Sequence, residues 1–124
     1  MPLAAIALVV LLALLAAFQV ALALGAPLGR FAWGGRHEVL PLPLRLGSAV
    51  SIVVYAVIAV IALDRADLID VLAAPVARIA MWIVFGYFAL SIAPNALSRS
   101  HSERNVMVPV SITLTALALP VAIG

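Results

Sequence analysis

The stretch LAAIALVVLLALLAAFQVALAL, residues 3–24, decides the fold. It holds a single polar side chain, Gln19, in 22 positions. About 20 helical residues cross a ~30 Å hydrocarbon core at about 1.5 Å per residue. A segment in lipid must satisfy its own backbone N–H and C=O groups, which a helix does and a lone strand does not. The run also lacks the apolar–polar alternation of a barrel strand. It ends at Gly25-Ala26-Pro27, a strong break signal.

Three further runs repeat the pattern. The sequence therefore predicts an all-α membrane protein with four transmembrane helices, at about 3–24, 46–63, 75–94 and 106–123. They form an up-down bundle, a single transmembrane domain over residues 1–124. Pro41 and Pro43 precede the second run, and Pro75 suits the first turn of the third, where a missing N–H costs nothing. Pro94-Asn95 closes the third run; Pro109 and Pro120 sit near the two ends of the fourth. Ala21-Leu22-Ala23 has the small residues of a signal-peptide cleavage site. No Lys or Arg precedes the run, however, and it exceeds the usual apolar length, so the first span is expected to stay.

Composition excludes the main alternative. Of 124 residues, 67% are apolar and 10% are charged, too few to clothe a soluble globule. There are no cysteines, so disulfides and thiolate sites are impossible. All seven basic residues are arginines, spread over three loops without a basic run. With a net charge of +2, this distribution argues against nucleic acid and for a role in orienting helices in the bilayer.

Loop one (25–45) and loop three (95–105) share a side and carry Arg30, Arg36, Arg45, Arg99 and Arg104. The other side has Arg65 and Arg78, with Asp64, Asp67 and Asp70 in the short loop two. Positive loops mark the cytoplasm, so loops one and three are expected there, with both termini outside and the chain in the bacterial plasma membrane. Leu68, Ile69, Val71 and Leu72 are expected to lie along the interface as a short helix. The two hairpins rhyme. Ala26-Pro27, Arg30, His37, Glu38 and Pro41 are echoed by Ala93-Pro94, Arg99, His101, Glu103 and Pro109, which reads as two repeated hairpins or as the chance likeness of two polar loops.

Polar residues within the spans share one half of the membrane. Ser48, Ser51 and Tyr55 lie on one face of the second helix, Tyr87, Ser91 and Asn95 on one face of the third, and Ser111 and Thr115 on one face of the fourth. Two readings stand. One is a polar vestibule of Gln19, Ser51, Tyr55, Tyr87, Ser91 and Thr115, with Arg36, His37, Arg45, Asn95, Arg99 and His101 at its mouth. The other is helix glue, in which small polar groups bond across helices for about 0.6–2 kcal/mol each. The ridge Ala13, Ala17 and Ala21 predicts close packing of the first helix against another.

Catalytic chemistry is hard to find. No Asp, Glu, Lys or His falls in the central part of any span, which removes the group that proton-coupled transporters need. His37, Glu38, His101 and Glu103 share a side but lack metal-ligand spacing, so no metal and no cofactor is expected. Trp33-Gly34-Gly35 reads as an interfacial anchor, or as a turn letting loop one fold back into the vestibule as a re-entrant segment.

Gly25-Ala26-Pro27-Leu28-Gly29, Trp33-Gly34-Gly35, Leu40-Pro41 and Arg45, with Ser98, Glu103, Arg104 and Pro109 in the stretch 95–109, resemble a family of small four-helix integral membrane proteins from GC-rich bacteria. The resemblance implies the four-span topology; the family carries no known activity. The leading expectation is a non-enzymatic accessory or interaction subunit in the lipid bilayer, self-associating as a homo-oligomer or joined to a partner membrane protein. An oligomeric small-solute channel or carrier is one alternative. A protein binding lipid head groups, or an enzyme acting on them, is the other.

Overall fold

The structure, a computed structural model, describes residues 2–124. It contains four long helices: α1 (Pro2–Ala23), α2 (Leu42–Arg65), α3 (Ala74–Ala96) and α4 (His101–Ile123). Their 22, 24, 23 and 23 residues are long and apolar enough to cross a membrane. Successive helices pack side by side, α4 closes back on α1, and α2 touches α4 across the diagonal. The α1–α2 and α3–α4 hairpins have the most extensive contacts.

Helices α1, α3 and α4 each present a seam with spacings of three and four, as in left-handed bundles. On α1 the seam is Ala5, Leu8, Leu12, Gln19 and Leu22; on α3 it is Ala77, Met81, Val84 and Phe88. Ser111, Leu114, Ala118 and Val121 form it on α4. Apolar seam residues pack into one core in the half of the bundle near the termini and loop two. The polar ones fall in the other half. Leu14, Val50, Val53, Ile83 and Leu90 point outward and are exposed, as lipid-facing side chains must be.

The alanine ridge of α1 does not pack as expected. Ala13 and Ala17 are exposed, because the seam that turns Gln19 inward leaves them about 120° and about 160° round the helix from it. Ala13 and Ala16 instead border an apolar groove shared with Ile52, Ala56 and Ala59 of α2.

Two helices begin earlier than the apolar runs. Pro41 takes the N-cap of α2 in an extended conformation, and its carbonyl accepts from Leu44 and Arg45. Ser100 caps α4, its Oγ accepting the Glu103 N–H at 3.2 Å. Loop three is thereby only residues 97–100. Loop two is a turn, without the expected interfacial helix. The buried Asp64 carboxylate accepts the N–H groups of Val71 (2.6 Å) and Leu72 (2.7 Å), holding the chain extended into α3. The two hairpins differ where they turn: Ala26-Pro27 lies beyond α1, while Ala93-Pro94 lies inside α3.

Helix α2 clamps its neighbours at both faces of the bundle. Arg45 Nε donates to Ala23 O at the end of α1 (2.9 Å). Arg65, at the other end of α2, donates to Ala122 O (3.0 Å) and Ile123 O (3.2 Å) at the end of α4. Both satisfy carbonyls that a helix leaves unbonded, at the negative end of its dipole.

Candidate functional site

The polar half of the bundle encloses a partly open cavity of about 230 Å³. Its lower wall is apolar. Leu15, Phe88 and Leu114 line it, above a core that includes Leu12, Ile58, Met81 and Val84. Helix α1 contributes Gln19, α2 contributes Ser51 and Tyr55, and α3 contributes Tyr87, Ser91 and Asn95. Helix α4 contributes Glu103, Met107, Val110 and Ser111.

The polar contacts inside are few. Gln19 Nε2 lies 3.4 Å from Tyr55 Oη, long for a hydrogen bond. Gln19 Oε1 is buried without a partner. Such an atom costs free energy, since its water was lost and not replaced. Asn95 Nδ2 donates to Ser111 Oγ, joining α3 to α4, and Ser111 Oγ donates to Met107 O (2.7 Å). Ser51 and Ser91 bond carbonyls of their own helix, Gly47 O and Phe88 O.

Loop one roofs the cavity. Two single-turn 3₁₀ segments, Gly29–Phe31 and Trp33–Gly35, lie over the end of the bundle against α4. Phe31, Ala32 and Trp33 line the cavity from above. The Trp33 indole donates to Ser48 Oγ (3.2 Å) and lies so close to Gly47 that a Cβ there would come within 2.9 Å of the ring. Trp33 itself has φ 52°, unusual for a bulky residue and tolerated only where its surroundings over-determine it. Gly35, at φ 70°, packs against Ser100 with no room for a side chain. Ser100 Oγ donates to Arg30 O (2.6 Å), and Gly34 N–H donates to Glu103 Oε2 (3.0 Å).

Glu103, which the sequence places in loop three beside His101, belongs to the cavity. It is 6% exposed, in the first turn of α4, with its carboxylate on the cavity. The N-terminal end of the helix and the Gly34 N–H both interact favourably with a negative carboxylate. Arg104 does not neutralise it; its guanidinium donates to Ser98 O (3.1 Å) and meets His101 Nδ1 at 2.6 Å. The signal was present in the sequence as Ser100-x-x-Glu103, the pattern of a capping box.

Of the residues expected to form a vestibule, Gln19, Ser51, Tyr55, Tyr87 and Ser91 line this one cavity. Thr115 does not. Its hydroxyl donates to Ser111 O, and Leu114 takes the inward position at that level. Of the expected mouth, Asn95 lines the cavity, whereas Arg36, His37, Arg99 and His101 are exposed and off it. Arg45 is also absent from the mouth, because it is drawn to the carbonyl end of α1. Nor do His37, Glu38, His101 and Glu103 gather: the first three face solvent and Glu103 turns inward. Among the described residues no three His, Asp or Glu side chains are grouped to hold a metal.

A second, apolar groove of about 420 Å³ runs down the outer face between α1 and α4. Leu11, Leu14 and Val106 line it, and it shares Leu15, Phe18, Phe31, Met107 and Val110 with the polar cavity as a common wall. The chain matches no protein-family model, and no curated protein or solved structure is significantly similar to it.

Proposed function

We propose that this chain is a non-catalytic membrane protein of the bacterial plasma membrane that binds one amphiphile per copy. It serves as the binding or accessory subunit of a membrane complex, its own oligomer included. The observation that carries this reading is the pairing of a roofed polar cavity with an apolar groove across one shared wall. A polar head and an apolar tail would each find a matching surface there. The packed core beneath the cavity weighs against a pore through the bundle axis. With five of seven arginines on the cavity side, we place that side in the cytoplasm and both termini outside.

Native mass spectrometry of the chain, extracted in mild detergent, tests the binding. Wild type is expected to retain an amphiphile at one per chain. Ser51→Leu fills the cavity and removes only a hydroxyl bonded within α2, so it should fold and lose the bound molecule. Equal retention by Ser51→Leu, with unchanged helicity by circular dichroism, would mean that the retained molecule is ordinary surrounding lipid.

A further inference from the structure

The cavity has a composition that selects a particular head group. Six of the chain's eight aromatic side chains line it: Phe18, Phe31, Trp33, Tyr55, Tyr87 and Phe88. It holds one carboxylate, Glu103, and no basic side chain. Glu103 Oε2 accepts from Gly34, and Oε1 has no hydrogen-bond partner among the described residues. Gln19 Oε1, on α1, is a buried acceptor without a donor. The one buried polar atom on these walls without any partner is thus an acceptor, and the only charged side chain among them is a carboxylate.

From this we infer that the ligand is an amphiphilic amine, with its ammonium between Glu103 and Gln19 and its hydrocarbon chain in the α1–α4 groove. A primary ammonium carries three N–H donors and one positive charge, which matches two free acceptors and one carboxylate. Aromatic faces attract a cation through their quadrupole, and a desolvated site strengthens that attraction. A phosphate beside the amine would meet Glu103 with no arginine to offset it. Neither nearby guanidinium lines the cavity: Arg30 stacks on Phe31 from the exposed side, 4.7 Å from the ring centroid, and Arg104 is engaged by Ser98 O and His101. The structure therefore favours a free alkylamine over an aminophospholipid. A bare metal cation is a poorer fit, because one carboxylate does not supply the several oxygen ligands a hard cation requires.

This inference rests on the amphiphile-binding reading, and the experiment separates the two. The full chain carrying Trp82→Phe, in dodecyl maltoside micelles, reports on the roof through the fluorescence of Trp33, its remaining tryptophan. It is titrated with dodecylamine, dodecanol and lysophosphatidylethanolamine, with Ser51→Leu as the control for effects on the micelle alone. Dodecylamine should bind saturably and about tenfold or more tighter than dodecanol, the scale of one charge-assisted contact. Lysophosphatidylethanolamine should bind more weakly than dodecylamine. Glu103→Gln keeps an oxygen for Gly34 N–H and should bring dodecylamine down to the level of dodecanol measured on the same variant. Equal binding of amine and alcohol by wild type overturns the ammonium assignment and leaves the amphiphile reading standing. So does selectivity that survives in Glu103→Gln. Equal binding of lysophosphatidylethanolamine overturns the choice of a phosphate-free amine. No saturable response above Ser51→Leu removes both readings. Should Glu103→Gln fail to fold, the wild-type ratio of amine to alcohol still decides.

Discussion

Gly34 and Gly35 are neighbours in the same turn, and alanine should harm them to different degrees. Both have left-handed backbones, at φ 80° and φ 70°. That conformation costs a residue with a Cβ about 1–2 kcal/mol. For Gly34→Ala this is the whole penalty, because nothing lies within 4 Å of the added methyl. At Gly35 the methyl would sit 2.3 Å from Ser100 Cβ and 2.6 Å from Ser100 Oγ. Ser100 must then move, which breaks its bond to Arg30 O and its cap on Glu103 N–H. Loss of a serine N-cap adds about 0.5–2 kcal/mol, so Gly35→Ala should cost roughly 1.5–4 kcal/mol in all. The assay is an unfolding titration in mixed micelles, followed by circular dichroism, with Trp33 fluorescence as the local probe. Gly35→Ala should lose stability beyond Gly34→Ala and also raise the accessibility of Trp33 to acrylamide. If the two variants are equally stable, or Gly35→Ala leaves Trp33 as protected as in wild type, then the packing of the roof on Ser100 is wrong.

Two further outcomes test topology and packing. Cysteines placed singly at the exposed Glu38 and Asp70 should label oppositely with an impermeant thiol reagent on intact cells: Asp70→Cys reacts from outside and Glu38→Cys does not, the reverse pattern inverting the proposed orientation. Leu12→Ala, at a site 2% exposed, should cost about 2–5 kcal/mol, whereas Ala17→Leu on the lipid face should be nearly silent; a destabilising Ala17→Leu would show that the outer face of α1 is covered by a further chain.

The spans were legible because lipid imposes one rule, length in apolar residues, and the four runs obey it. The convergence of Gln19, Ser51, Tyr55, Tyr87 and Ser91 was legible because an unpaired polar group avoids lipid, and shared depth plus helical spacing does the rest. Four things were harder to see. The rotation of α1 was misjudged because small residues suit both a tight helix contact and a lipid face, and the position of Gln19 outweighed the alanine ridge. Arg45 was placed at the mouth by depth alone, while helix carbonyls one loop away held it more strongly. Glu103 was missed because its loop was ended at the apolar run, when Ser100 starts the helix five residues earlier than Asn105 would. Thr115 shares a face with Ser111, yet a bond back to Ser111 O spends its hydroxyl locally.

The clamps on α2 have a mechanical side. Arg45 grips α1 at one membrane face and Arg65 grips α4 at the other, so α2 is pinned at both ends, each to a different neighbour. A one-turn ratchet of about 5.4 Å, the step by which packed helices commonly slide, would tear both grips at once. Screw and piston motions of α2 are thereby opposed at both ends of the helix. What remains able to yield around the cavity is the set of side chains of the shared wall, Phe18 and Met107 foremost. An amphiphile bound as proposed would then pass by swinging rings and thioethers on rotamer timescales, with the four-helix frame standing still.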